Sequence, residues 1–143
     1  SAISRLVDLE VSLHLLRATL VGVVAQRLIR ILCKDCRVVV DDSNRAAADA
    51  LGIDLNDRRS PLYRAVGCHK CRHTGYLGRT AVYEIMPLSQ SLLALVIDPL
   101  NVQAIRAVAV DEGMRMLREA GVSAAEAGSS SLDEVLRVTA ELT

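Results

Sequence analysis

The sequence predicts a mixed α/β fold, mostly helical, carrying one small tetracysteine metal subdomain; three observations support this. Apolar residues recur at helical spacing near both ends of the chain. Two stretches rich in β-branched residues, 21–32 and 80–86, interrupt that pattern. Between them stand two Cys-x-x-Cys pairs, which hold all four cysteines of the chain. The 143 residues suffice for one ordinary domain, or for two or three small modules sharing a core. Phe and Trp are absent and Tyr63, Tyr76 and Tyr83 are the only aromatics, so the core must be built from Leu, Val, Ile and Ala.

Taken in order, Ile3, Leu6, Val7 and Leu9 predict a first helix, and Leu13, Leu16 and Leu20 a second. Residues 21–32 read as a strand with Gln26, Leu28, Arg30 and Leu32 on one face, although the periodicity alone also admits a helix. Between the cysteine pairs we expect a short strand over 38–40 and an alanine-rich helix near 43–51, closed by Gly52. A charged loop, 54–60, leads to Pro61. Residues 74–78 have the composition of a turn, with Gly75 and Gly78 admitting positive φ. The strand over 80–86 should stop at Pro87, and short helices follow. One is expected through Leu92, Leu93, Leu95 and Val96, and another through Val102, Ile105, Val108 and Ala109. Met114, Leu117, Gly121, Ala124 and Ala125 line a third face, where Gly121 allows close helix approach. The last helix starts at a capping box, Ser131 taking the first amides and Glu134 reaching back, with Leu132, Val135, Leu136 and Thr139 as its buried stripe.

The chemistry concentrates on Cys33, Cys36, Cys68 and Cys71. Cysteines three apart in a tight turn aim both sulfurs at one point, and two such turns supply the tetrahedron that Zn²⁺ favours in closed structural sites. The 31 intervening residues exceed the usual spacing, and the inserted helix accounts for the surplus. Lys34, Arg37, Lys70 and Arg72 would offset the two excess negative charges of such a centre. Two disulfides, a redox pair and an iron–sulfur cluster are the rival readings. His69 and His73 are alternative ligands, made superfluous by a complete cysteine set. His14, on a leucine-rich helix, is read as packing or surface.

Composition narrows the classes further. Net charge is zero, yet residues 27–79 carry 11 basic against 6 acidic side chains and residues 80–143 carry 4 against 9. Opposite biases suit modules facing different partners or each other, or simply two solvated surfaces. No apolar run approaches the roughly 20 residues of a membrane span. No secretory leader is recognisable, which makes a cytosolic setting with reduced or metal-bound thiols the expectation. Ser1 in place of Met suggests a piece of a longer chain. A P-loop needs Gly-Lys-Ser/Thr; only Lys34 and Lys70 occur here and neither follows a glycine. No Walker B, Asp box or His box is recognisable, and no Ser/His/Asp or paired-carboxylate constellation assembles from spacing.

Two runs carry a family resemblance. Ala25-Gln26-Arg27-Leu28-Ile29-Arg30-x-Leu32-Cys33-x-x-Cys36 and Gly67-Cys68-x-x-Cys71-x-x-Thr74-Gly75-Tyr76-x-Gly78-Arg79-Thr80-x-Val82-Tyr83-Glu84 together resemble the signature of the GspE/PilB-type ATPases of type II secretion and type IV pilus assembly. The run 2–8 resembles the helix after that family's catalytic histidine box. Ser131-Leu132-Asp133-Glu134-Val135 with Arg137-Val138-Thr139 resembles its C-terminus. The family usually has Gly where Glu10 stands and Pro-Phe near Ser12 and Leu13.

The resemblance implies a C-terminal part of a hexameric, RecA-like, ATP-binding motor working at the cytoplasmic face of the bacterial inner membrane. Residues 1–32 would be the last elements of the ATPase core, 33–82 the zinc-binding subdomain and 83–143 a C-terminal helical subdomain. One structural Zn²⁺ per chain is implied, with ATP and Mg²⁺ belonging to the full-length parent; this fragment by itself should not hydrolyse ATP. The partners implied are neighbouring subunits of the homohexameric ring and inner-membrane platform proteins of protein transport. Arg79 matches an arginine near nucleotide and subunit interface in the family; a surface arginine at a strand end is the alternative. Gln26, Arg27 and Arg30 are read as structural residues of their strand. A zinc-ribbon nucleic-acid binder, using Arg58, Arg59, Arg64, Lys70, Arg72 and Arg79, is a competing function, disfavoured by a pI near 6.8 and few stacking aromatics. A protein-docking role for the zinc module is compatible with either.

Overall fold

The computed structural model describes residues 2–56 and 60–140. The chain groups into two compact units, one of residues 1–25 and 84–116, the other of 26–83 and 117–143. Each unit is discontinuous in sequence. Two long strands, β1 (Gly22–Leu32) and β4 (Tyr76–Pro87), contribute residues to both units and pair with each other. They run antiparallel: the Leu88 amide donates to the Val21 carbonyl beyond one end, and Gly78 lies against Ile31 at the other.

In the first unit, α1 (Ala2–Asp8) and α2 (Leu13–Thr19) bury Ile3 and Leu16 as their spacing predicts. These residues pack with Val96 against Leu6, Val7, Leu20 and Met86. Glu10 holds φ +63 between the two helices, in the left-handed region that glycine enters more easily. Ser12 caps α2, its hydroxyl accepting from the Leu15 amide. Then α4 (Gln90–Ala94) and α5 (Val102–Asp111) join Leu92, Ile105 and Ala109 in a second aliphatic cluster. Met114 packs here rather than continuing the following helix, because Gly113 at φ +95 ends the preceding one.

The second unit contains the insert between the cysteine pairs. β2 (Val38–Val39) pairs antiparallel with β3 (Tyr63–Arg64), a partner the sequence did not reveal. α3 (Ala46–Ala50) buries Ala47 and Ala48 and is closed by Gly52 at φ +67. These residues form one core with Leu62 and with α6 (Leu117–Glu126) and α7 (Leu132–Thr139), through Ala125, Leu132 and Val135. At Gly121 an added Cβ would stand 3.0 Å from Val135 Cγ1, so the glycine is what lets α6 approach α7. Strand β4 begins at Tyr76, inside the stretch read as a turn; Gly78 takes its positive φ within the strand. Ile29, Val82 and Leu117 close a further cluster. No helix among the described residues is long and apolar enough to cross a membrane.

Candidate metal centre

Cys33 directly follows β1, and the Cys36 and Arg37 amides fold back on its carbonyl at 3.3 and 3.0 Å to make the first turn. The second begins at Cys68, passes through a short 3-10 turn (His69–Cys71), and then takes two left-handed residues, Arg72 at φ +54 and His73 at φ +62. That turn puts the His73 amide 2.8 Å from the Cys68 carbonyl. It also demands glycine at 67, where an added Cβ would lie 2.6 Å from the His73 oxygen. The Cys33 amide donates to the Gly75 carbonyl at 2.9 Å and so ties the two turns together.

The four thiols are free and converge. Their sulfurs all lie within 4.8 Å of one another. Three pairs, Cys33–Cys68, Cys36–Cys71 and Cys68–Cys71, are 3.9, 3.8 and 3.8 Å apart. Four sulfurs bound tetrahedrally at about 2.3 Å to one ion would be separated by about 3.8 Å. The donor set therefore fits a single four-coordinate ion with no position left open. A polynuclear cluster must place sulfide and further iron between its thiolates and needs a wider cage.

The local field is uneven. Burial works against ionising Cys71, but the amides of Cys68 and Gly75, at 3.1 and 3.2 Å from its sulfur, hold its thiol down to about 6. Burial pushes Cys36 up to about 12, helped by its thiol neighbours. Four adjacent thiols cannot all shed protons unaided; a bound dication is what would let them ionise together.

Of the surrounding cations, Lys70 is paired with Asp35 of the first turn at 2.8 Å. Arg37 stacks over the Tyr63 ring at 4.1 Å and donates to the Gly128 carbonyl, while Lys34 and Arg72 are exposed. His69 and His73 are exposed with ring centroids 5.6 Å apart, outside the ligand set. His14 is exposed on α2. Arg79 is exposed on β4, and Gln26 and Arg27 are exposed on β1. Arg64 lies half-buried in β3, and Arg58 and Arg59 fall outside the described residues.

Sequence reasoning missed a buried polar group at the start of α7. Ser131 does cap α7, accepting from the Glu134 amide at 3.2 Å, but the Glu134 carboxylate does not serve the cap. It is fully buried and takes the Arg30 amide at 3.0 Å, the Arg30 guanidinium at 2.9 and 2.7 Å, and Arg137 at 2.8 and 2.7 Å. Burial opposes its ionisation, yet Arg137 and Arg30 hold the carboxyl at about 2. An acid on the buried stripe of α7 was the signal available; Arg137 one turn on could be named from spacing, Arg30 could not.

Residues 1–137 match the family model described as "Type II/IV secretion system protein". The chain is 41% identical over 96% of its length to the type IV pilus assembly ATPase TfpB of Acinetobacter baylyi, covering 24% of that protein. It is 39% identical over 97% to the type II secretion system protein HxcR of Pseudomonas aeruginosa, covering 26%. It is 36% identical over 98% to the type II secretion system ATPase E of Vibrio cholerae, covering 27%. The chain thus spans about a quarter of the length of these relatives. With the match running through both cysteine turns and both units, the chain belongs to the type II/IV secretion system protein family.

Proposed function

We propose that this chain is the C-terminal, zinc-holding part of a hexameric ATPase that powers type II protein secretion or type IV pilus assembly. The observation that carries the reading is the near-complete coverage of the chain by secretion and pilus ATPases, together with four converging thiols. Four thiolates leave an ion no site for water or substrate, so the ion's role is to hold the two turns together. Zinc is the ion best suited to a closed, redox-silent thiolate set.

ATP and Mg²⁺ would be bound by parts of the parent outside these 143 residues, which contain no Gly-Lys-Ser/Thr. Residues 1–32 would complete the ATPase core, 33–82 form the zinc subdomain and 83–143 the helical subdomain. Arg79, exposed on β4, would face nucleotide or a neighbouring subunit, where its planar fork suits phosphate or carboxylate. The parent would act at the cytoplasmic face of the inner membrane, with platform proteins as its partners.

Elemental analysis of the purified chain should give one zinc, with all four thiols masked until a chelator is added. In the full-length parent, Cys68→Ser should lower ATP turnover and ring stability together, and Arg79→Ala should lower turnover with the zinc retained. Absence of zinc, or a parent that neither hydrolyses ATP nor forms rings, would overturn the reading.

A further inference from the structure

The loop joining α6 to α7 is gripped by residues that sit beside the thiol ligands in sequence. Leu32, next to Cys33, donates its amide to the Ser129 carbonyl at 2.9 Å. Arg37, next to Cys36, donates to the Gly128 carbonyl. Tyr76 follows Gly75, whose amide binds the Cys71 sulfur, and its hydroxyl meets Ser131 Oγ at 2.7 Å. Arg30 adds a fourth hold. Its carbonyl accepts from the Ser130 hydroxyl at 2.8 Å, its amide and guanidinium bind Glu134, and its guanidinium lies 4.0 Å over the Tyr76 ring. Ser130, Ser131 and Glu134 are all fully buried by these contacts.

We propose that residues 128–134 form a latch on the metal centre, with Glu134 as its positioning residue, so that metal binding and docking of α7 reinforce each other. The inference rests on the metal-centre reading above. An ion bound by the four cysteines fixes Cys33, Cys36 and Cys71 relative to one another. That in turn fixes Leu32, Arg37 and Tyr76, three separate anchors for the latch. With the anchors mobile, ordering the loop would cost the entropy of all of them at once. Glu134 makes the docking nearly all-or-none, because a carboxylate withdrawn from water is tolerable only with its guanidiniums and amide in place. Coupling between two binding events is reciprocal: whatever the ion contributes to latch docking, the docked latch returns as metal affinity.

The test uses the 143-residue chain. Zinc affinity is measured by competition with a chromogenic chelator, and hydrogen exchange is followed with and without zinc. In the unsubstituted chain, chelation should strip protection from the amides of α7 as well as from the cysteine turns. Glu134→Gln should weaken zinc binding by about tenfold, within the usual range for coupled sites. Tyr76→Phe keeps the ring under Arg30 and deletes one hydrogen bond; a loss of a few-fold, about three, is expected, and this variant decides the question if Glu134→Gln does not fold. Arg106→Gln, exposed on α5 and outside the latch and the cysteine turns, should change neither readout. One zinc per chain with unaltered α7 exchange on chelation, and unaltered affinity in the two variants, would overturn the latch and leave the centre standing. No zinc binding at all would overturn the centre and the latch with it.

Discussion

The two units of this chain are held by different physics. The unit of residues 1–25 and 84–116 is aliphatic throughout: Ile3, Leu16 and Val96 in one cluster, Leu92, Ile105 and Ala109 in another. Its polar side chains work at the surface, as the caps Ser12, Ser89 and Asn101 do for three helices. The unit of residues 26–83 and 117–143 has smaller apolar residues at its centre, Ala47, Ala48 and Ala125 among them. It also contains Ser130, Ser131, Glu134 and Thr139, all buried, and the four converging thiols. Aliphatic packing is non-directional and degrades gradually when one residue is cut back. Buried polar groups and metal ligands must be satisfied together, so a unit built on them is specific and fails as a whole.

Loss of the proposed metal should separate the units most sharply. In small zinc modules the ion contributes on the order of 10 kcal/mol of folding free energy. Cys68→Ser, or chelation, should therefore abolish amide protection in residues 26–83 and 117–140 while the other unit keeps its own; simultaneous loss in both would mean that the contrast is mistaken. Next in size is Leu92→Ala, which hollows the aliphatic unit and should cost about 3 kcal/mol in a denaturant melt. Its zinc affinity should be untouched.

Glu134→Ala should follow, at about 2–3 kcal/mol. Breaking a fully buried pair costs about 3–5 kcal/mol, but the Arg30 and Arg137 side chains are 41% and 58% exposed and can rehydrate. The same residue sets an acid limit. Its carboxyl is held near 2 against an ordinary 4.5, so the native state binds fewer protons than the unfolded chain. The stability this supplies is complete above about pH 4.5 and is lost as pH falls towards 2. Glu134→Gln should flatten that part of the pH–stability curve. Gly121→Ala is expected to cost about 1–2 kcal/mol by pushing α6 from Val135. The smallest effect lies in the aliphatic unit: Glu10→Gly relieves a left-handed residue and should raise stability by about 0.5 kcal/mol, net of the added freedom of the unfolded chain.

Much of the site was legible because its information is local. Two Cys-x-x-Cys turns, each compact in sequence, announce a tetrahedral donor set wherever the chain later brings them together. Helices with regular apolar spacing were legible for the same reason, as were the stop at Pro87, the cap at Ser131 and the close approach at Gly121. Errors fell where a residue's role depends on a distant partner. Tyr76 was read as part of a turn, yet it opens β4 and reaches Ser131, 55 positions away. The capping-box spacing assigns Glu134 to its own cap, but its carboxylate pairs with Arg137 one turn on and with Arg30, 104 positions away.

Local spacing alone makes the paired cysteines, most of the helices and the family readable: each is written in spacings of a few residues, or in runs that survive as runs. Tertiary structure alone decided that the insert between the cysteine turns shares its core with α6 and α7, that β2 finds β3, and that a buried carboxylate joins β1 to α7. Such pairings join segments far apart in the chain, and neither periodicity nor propensity in either segment specifies its partner. The choice is made when the fold satisfies every buried donor, acceptor and charge at once.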